Sequence, residues 1–213
     1  MDIYWHGQAC FEIKTPSNQA EKKKIVIDPY TKDYGLKLPK LEADLLLITH
    51  DHKDHNNVKG VTGDPLIING PGEYEAKGIF VKGISASHGD SLGDITIYII
   101  EAEGIRLCHL SDIGQELTDE QVESIGDVDI LMVPVGGIYT VDGEGAQKIV
   151  NQIEPKIIIP MHYDIPGLKL EKKLEEVKSF LKSMGQDKIE VQPSLKIKKG
   201  GFAPEVKVVV LKL

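Results

Sequence analysis

Several things are scarce in this chain. It has two cysteines in 213 residues, Cys10 and Cys108, far apart and each inside a strand-like run. They read as reduced core residues rather than as a disulfide or a metal pair. No apolar run approaches the ~20 residues of a bilayer span, so no membrane crossing is expected. The opening Met1-Asp2-Ile3-Tyr4-Trp5-His6 has neither a basic n-region nor an apolar h-region. It does not read as a signal peptide, and a cytoplasmic location is expected. Positive charge is also in deficit, with a net charge of −8. A field of that sign repels a polyanion, so nucleic acid is not an expected partner. Lys196, Lys198 and Lys199 read as a solvated basic turn, and no basic, aromatic-interleaved stretch is present. Bound divalent metals would still make a site locally positive. No internal repeat, low-complexity segment or linker interrupts the chain. With 41% hydrophobic and 27% charged residues, it suits one domain over residues 1–213 with a large core.

Short β-rich runs come first. Strands are expected at Ile3–Trp5, Cys10–Lys14, Ile25–Ile27, Leu45–Ile48, Leu66–Ile68, Ile79–Ser85, Asp94–Glu101 and Ile105–His109. Turn residues Thr15-Pro16-Ser17-Asn18-Gln19 and Ala102-Glu103-Gly104 predict two hairpins. Thr118-Asp119-Glu120-Gln121 is a capping box opening a short helix that ends near Gly126. Asp142 can cap a second helix to about Ile153. Leu170, Leu174, Val177 and Leu181 recur at helical spacing and predict a third over Leu170–Met184, stopped by Gly185. Strands are also expected at Ile130–Val133, Ile157–Ile159 and Val206–Leu211. Strand meander first and strand–helix alternation later predict α/β layers.

What stands out is a loop. His50, His52, Asp54 and His55 fall within six residues, just after the buried-strand run Leu45–Ile48. Histidines so close repel one another if protonated, and their ring faces gain nothing in an exposed loop. A metal removes both difficulties, because it binds neutral imidazole and holds the loop in place. Imidazole and carboxylate suit zinc and similar borderline metals. His88, Asp112 and His162 each follow another strand-like run, so several strand ends can open onto one rim.

The ordered set His50-x-His52-x-Asp54-His55, His88, Asp112, His162 resembles that of the metallo-β-lactamase superfamily. Trp5-His6-Gly7-Gln8-Ala9-Cys10-Phe11, Ile27-Asp28-Pro29, His109-Leu110-Ser111-Asp112 and Ile159-Pro160-Met161-His162-Tyr163 resemble its branch of small metal-dependent hydrolases that includes ascorbate-6-phosphate lactonase. The resemblance implies an αββα four-layer sandwich with the site along one edge of two sheets. It implies two divalent cations, Zn2+ or Mn2+. His50, His52 and His88 would hold the first, Asp54, His55 and His162 the second, with Asp112 bridging. A hydroxide shared by the metals would be the nucleophile, attacking a small ester, lactone or phosphodiester, and no serine or cysteine nucleophile is needed. Asp54 would serve both as ligand and as catalytic residue orienting the hydroxide. Asp28 would fix the metal loop from behind.

His109 and Tyr163 are further candidates for support of the ligands or contact with substrate. Many relatives carry histidine where this chain has Gln8, which puts that position's role in question. The segment Gly136–Gly143 matches no phosphate-loop pattern and is expected to face substrate. Three other readings compete with the small-molecule hydrolase: a ribonuclease, a non-catalytic metal-binding protein and a flavin-partnered di-iron oxidoreductase. Net charge opposes the first, a complete ligand set opposes the second, and His52 stands where the third branch carries glutamate. The expected partner is a small molecule, and a homo-oligomer is left open.

Overall fold

The computed structural model describes residues 1–16, 22–89, 92–186 and 191–213. The chain begins with β1 (Asp2–Trp5), β2 (Phe11–Pro16) and β3 (Lys22–Ile27), an antiparallel meander. It continues through β4 (Leu41–Glu42), β5 (Leu45–Leu47), β6 (Val61–Thr62) and β7 (Leu66–Ile68). Then come β8 (Gly72–Ala76), β9 (Ile79–Ser87), β10 (Asp94–Ala102) and β11 (Ile105–His109), antiparallel to one another in turn. Helices alternate with strands afterwards: α1 (Asp119–Ile125), β12 (Ile130–Pro134), α2 (Gly143–Ile153), β13 (Ile157–Met161) and α3 (Val177–Ser183). Four short strands close the fold: β14 (Val191–Gln192), β15 (Leu195–Lys196), β16 (Lys207–Val208) and β17 (Val210–Leu211).

These strands make a six-stranded sheet, β15-β1-β2-β3-β5-β7, and a seven-stranded sheet, β16-β13-β12-β11-β10-β9-β8. The two face each other across a shared core, giving the expected α/β sandwich. Phe11, Ile13, Ile25, Leu45 and Leu47 enter that core from the first sheet, and Val81, Ile97, Ile99 and Leu107 belong to the same cluster. Leu46 points the other way, into a second cluster with Cys10, Val26, Tyr30, Leu36 and Leu41. That is why Leu45-Leu46-Leu47 is apolar without alternation: both faces of β5 are covered. The outer cover on this face consists of irregular chain and short 3-10 turns, and no α-helix lies over it among the described residues. Helices α1 and α2 pack on the second sheet, and α3 packs on α2. Cys10 and Cys108 are both buried and free.

The capping box forms as read: Thr118 and Gln121 cap each other's backbone at the start of α1. Asp142 accepts from the Gly145 amide at 2.9 Å and starts α2. Three expectations need correction or restriction. The predicted helix Leu170–Met184 is helical only over Val177–Ser183. In its first half the backbone bonds go elsewhere: Glu175 N–H donates to Gly136 O and Asp164 N–H to Glu175 O, both at 2.8 Å. Leu174 is buried by that extended course, so apolar spacing there reflects one anchoring side chain rather than a helix face. The final strand is split, because β16 pairs with β13 whereas β17 pairs with β14. Of the first predicted turn, Ser17, Asn18 and Gln19 lie outside the described residues.

Strand direction sets the position of the site. β3 and β5 run parallel, as do β11, β12 and β13. β9 runs parallel to β11, since both are antiparallel to β10. The carboxyl ends of β3, β5, β9, β11 and β13 are followed by Asp28, His50, His88, Asp112 and His162 respectively.

Candidate functional site

The turns after those strands bring seven side chains into two groups: His50, His52 and His88, and Asp54, His55, Asp112 and His162. Within each group one donor atom per residue lies within 4.8 Å of the others. Asp112 belongs to the second group and touches the first through His88. Its Oδ2 is 3.1 Å from His55 Nε2, 3.3 Å from His162 Nε2 and 3.4 Å from His88 Nε2. His50 Nε2 and His52 Nδ1 are 3.0 Å apart, and Asp54 Oδ2 is 3.6 Å from His55 Nε2.

One carboxylate lies behind both groups. Asp28 is fully buried; its Oδ1 accepts from the Thr49 amide at 2.8 Å and its Oδ2 from the Thr49 hydroxyl at 2.7 Å. The same Oδ2 lies 2.9 Å from His55 Nδ1. Thr49 Oγ1, its proton given to Asp28, can accept from His50 Nδ1 at 3.0 Å. These contacts place the Nδ1 protons of His50 and His55 on the Asp28 side and leave each Nε2 facing inward.

Electrostatics follow from burial and crowding. Burial disfavours a charged His50, the neighbouring His55 adds to this, and the imidazole is pushed down to about 3. Burial opposes ionisation of His55 as well, but Asp112 and Asp28 outweigh it and hold the ring well above its ordinary value. Burial likewise opposes ionisation of Asp112, yet His162 and His55 keep its carboxyl well below the usual range. Asp54 is lowered too: burial raises it, and the adjacent His55 prevails. His55 Nε2 and Asp112 Oδ1 are nonetheless buried without a hydrogen-bond partner among the described residues. His88 Nδ1 and His162 Nδ1 are also buried and unpaired among the described residues, and four such side chains in one cluster mark a place where another ligand completes the set.

Backbone strain concentrates here. Gln8, Asp28, Ser111 and His162 all take left-handed φ, between 45° and 54°. Each is a non-glycine residue at a sharp strand-end turn, a conformation that persists only where packing enforces it. Two glycines permit the closure. A Cβ on Gly136 would lie 2.2 Å from His162 O, and one on Gly114 would lie 2.4 Å from His88 O.

The other candidates divide. His109 is fully buried and lies between two turns, its Nε2 3.0 Å from Ala9 O and its Nδ1 accepting from Ser111 N–H at 3.2 Å. Burial pushes it toward the neutral form. Tyr163 is buried against Trp5, the two rings tilted by 31° with centroids 4.9 Å apart, and it does not line the cavity beside the site. His6 lies 3.6 Å from Glu12.

Above the two groups is a cavity of about 680 Å³, reached by His52, Asp54, His88, Asp112 and His162. Its outer wall includes Tyr34, Leu92, Tyr139, Lys169 and Leu170. Tyr139 comes from the Gly136–Gly143 segment. Tyr34, Leu92 and Lys169 escape a sequence reading, because loop closure alone brings them there: Lys169 N–H bonds to Tyr34 O at 2.9 Å. Among the described residues, no helix is long and apolar enough to cross a membrane.

Fold, strand-end donor residues and comparison with known proteins agree: the chain belongs to the metallo-β-lactamase superfamily. The family model for the β-lactamase superfamily domain matches residues 2–162. Among its relatives, a UPF0173 metal-dependent hydrolase of Thermoplasma acidophilum is 31% identical over 194 residues, covering 77% of this chain and 84% of that protein. A UPF0173 protein of Pyrococcus abyssi is 34% identical over 194 residues, covering 78% and 85%. A crystal structure from Thermotoga maritima, described as a candidate Zn-dependent hydrolase of the metallo-β-lactamase superfamily, superposes with a TM-score of 0.80. It is 35% identical and covers 99% of this chain and 97% of that one. An isothiocyanate hydrolase from Delia radicum gut bacteria has a TM-score of 0.65 at 16% identity, covering 93% and 99%, a likeness of fold alone.

Proposed function

We propose that the protein is a dinuclear metal-dependent hydrolase that cleaves a small ester, lactone or phosphodiester. One observation carries this reading: two groups of metal-type donors lie side by side at the floor of an open cavity, joined by the 3.4 Å contact of Asp112 Oδ2 with His88 Nε2. The residues fit the cations. His50, His52 and His88 would hold one, and Asp54, His55 and His162 the other, with Asp112 shared. The unpartnered His55 Nε2 and Asp112 Oδ1 are the atoms such ions would satisfy. Nitrogen and carboxylate donors suit zinc, with manganese the next choice. When bound, a pair of divalent cations supplies an acidified water and polarises the attacked oxygen.

The chain's own residues do the rest. Asp28 and Thr49 hold His50 and His55 in the tautomer that points Nε2 inward. Asp54, kept ionised and partly open to the cavity, accepts a proton from the attacking water and orients it. Tyr34, Leu92, Tyr139 and Leu170 give the substrate an apolar wall, and a cavity of about 680 Å³ suits a small molecule. The net charge of −8 disfavours a nucleic-acid substrate. Free, buried Cys10 and Cys108 suit work in the reducing cytoplasm.

The test is elemental analysis followed by a screen of the metal-loaded protein against lactones, phosphodiesters and aryl esters. Two zinc or manganese ions per chain are expected, with hydrolysis abolished by a chelator. Asp54→Ala should lower the rate by at least about 100-fold, the scale of a lost general base. Protein that takes up no metal after add-back overturns the reading.

A further inference from the structure

Gln8 is a buried polar side chain beside this site that belongs neither to the seven-residue set nor to the Asp28–Thr49 support behind it. It is fully buried in the turn between β1 and β2, at a left-handed φ of 49°. Its backbone is pinned in that conformation. Gln8 O accepts from Trp5 Nε1 at 2.8 Å and from the His162 amide at 3.2 Å. The side chain is not pinned in the same way. Among the described residues its Oε1 is buried with no hydrogen-bond partner, and its Nε2 makes one long contact, 3.5 Å, to His162 Nε2. That imidazole nitrogen is itself 3.3 Å from Asp112 Oδ2. The carboxamide therefore ends at the donor group formed by Asp54, His55, Asp112 and His162.

A neutral imidazole has one lone pair, on its unprotonated nitrogen. If His162 Nε2 gives that pair to a cation, it cannot accept from Gln8 as well. The Gln8 N–H would then face a positive charge, an unfavourable dipole orientation. A half-turn of the carboxamide exchanges Nε2 for Oε1 and reverses the sign. The same turn supplies the unpartnered oxygen with a partner. Resting on the dinuclear reading above, we propose that Gln8 Oε1 is a further ligand of the cation held by Asp54, His55, Asp112 and His162. Amide oxygens are ordinary ligands for harder divalent ions, so the same contact favours manganese over zinc at this position.

The test is a titration of metal-free protein with Co2+, followed by visible absorbance and competition with a chelator, and repeated with Mn2+. Wild type is expected to take up two ions. Gln8→Met keeps the length, removes the oxygen and leaves the backbone bonds intact. It should weaken one of the two binding steps at least tenfold, alter the absorbance of that step and leave the other unchanged. Gln8→Glu places a carboxylate oxygen at the same point and should tighten that step at least tenfold. A merely structural glutamine would not produce that gain. If wild type binds two ions and Gln8→Met keeps both affinities and both spectra, the Gln8 assignment falls while the dinuclear reading survives. If wild type takes up no second ion, both fall.

Discussion

His55 donates its Nδ1–H to the carboxylate of Asp28 over 2.9 Å, with both side chains sealed from solvent. Because Asp28 also holds Thr49, and Thr49 reaches His50, this one acid orients an imidazole in each donor group. Partners of this kind are worth about 10–100-fold in metal affinity. Asp28→Ala should therefore weaken both cations by about that factor in a chelator competition. It also leaves the buried Thr49 amide and His55 unpaired, so urea unfolding should show a loss of about 3 kcal/mol. Unchanged affinity for both ions would show that Asp28 is only a turn residue.

In the cation-free chain the same cluster makes stability depend on pH. His55 is held well above its ordinary 6.5. Its contribution is complete below that value and fades as pH rises through the elevated folded one. Asp112, held far below its ordinary 3.8, contributes above that value and loses its contribution only as pH falls through the lowered one. His50, pushed down to about 3, works against folding between its ordinary 6.5 and that point, because the unfolded chain binds a proton the folded one refuses. Melting temperature measured in chelator should thus peak near neutrality and fall toward alkaline pH. Asp112→Asn should flatten the alkaline limb. A wild-type profile that keeps rising above pH 7 would contradict this balance.

Gly136 is where the loop after β12 meets the backbone of His162. With its added Cβ 2.2 Å from His162 O, Gly136→Ala must move one of the two turns. Destabilisation of about 2 kcal/mol or more is expected, along with weaker binding of the cation proposed at His162. Gly70 is the control, since nothing lies within 4 Å of a Cβ there. Gly70→Ala should stay within about 0.5 kcal/mol of wild type. Equal effects in the two variants would remove the close approach as an explanation.

The convergence of the candidate donors was legible because each follows an apolar run, and a strand must end where a cluster of histidines begins. For Asp28 the residues alone allow a turn carboxylate before Pro29, and only the family resemblance points to support of the histidine loop. Gln8 stands out in the sequence only because many relatives carry histidine there, since nothing in Trp5-His6-Gly7-Gln8 says that the chain after β13 returns to it 154 residues later. Tyr34 and Lys169 were invisible: the backbone bond joining them depends on loops whose closure no local pattern encodes. The overlong third helix failed for a related reason. Leu170 and Leu174 have helical spacing, but the backbone of Glu175 found Gly136 instead of its own preceding turn.

His109 shows how a support can be separated from a ligand by experiment. Its ring packs edge-on against Phe11, with centroids 5.7 Å apart, and reaches Ala9 on one side and Ser111 on the other. His109→Phe keeps the packing and removes both hydrogen bonds, leaving a buried carbonyl and a buried amide beside Asp112. Each unpaired group costs about 1–3 kcal/mol, so a loss in that range or somewhat above is expected at pH 8. Burial lowers the pKa of wild-type His109, so protonation of the unfolded chain works against wild type in acid but not against the phenylalanine variant. The stability gap should therefore narrow below pH 6.5, the ordinary value for the ring. A gap that widens in acid would mean that folded His109 gains a proton, and that its role in the turn before Asp112 is charged rather than neutral.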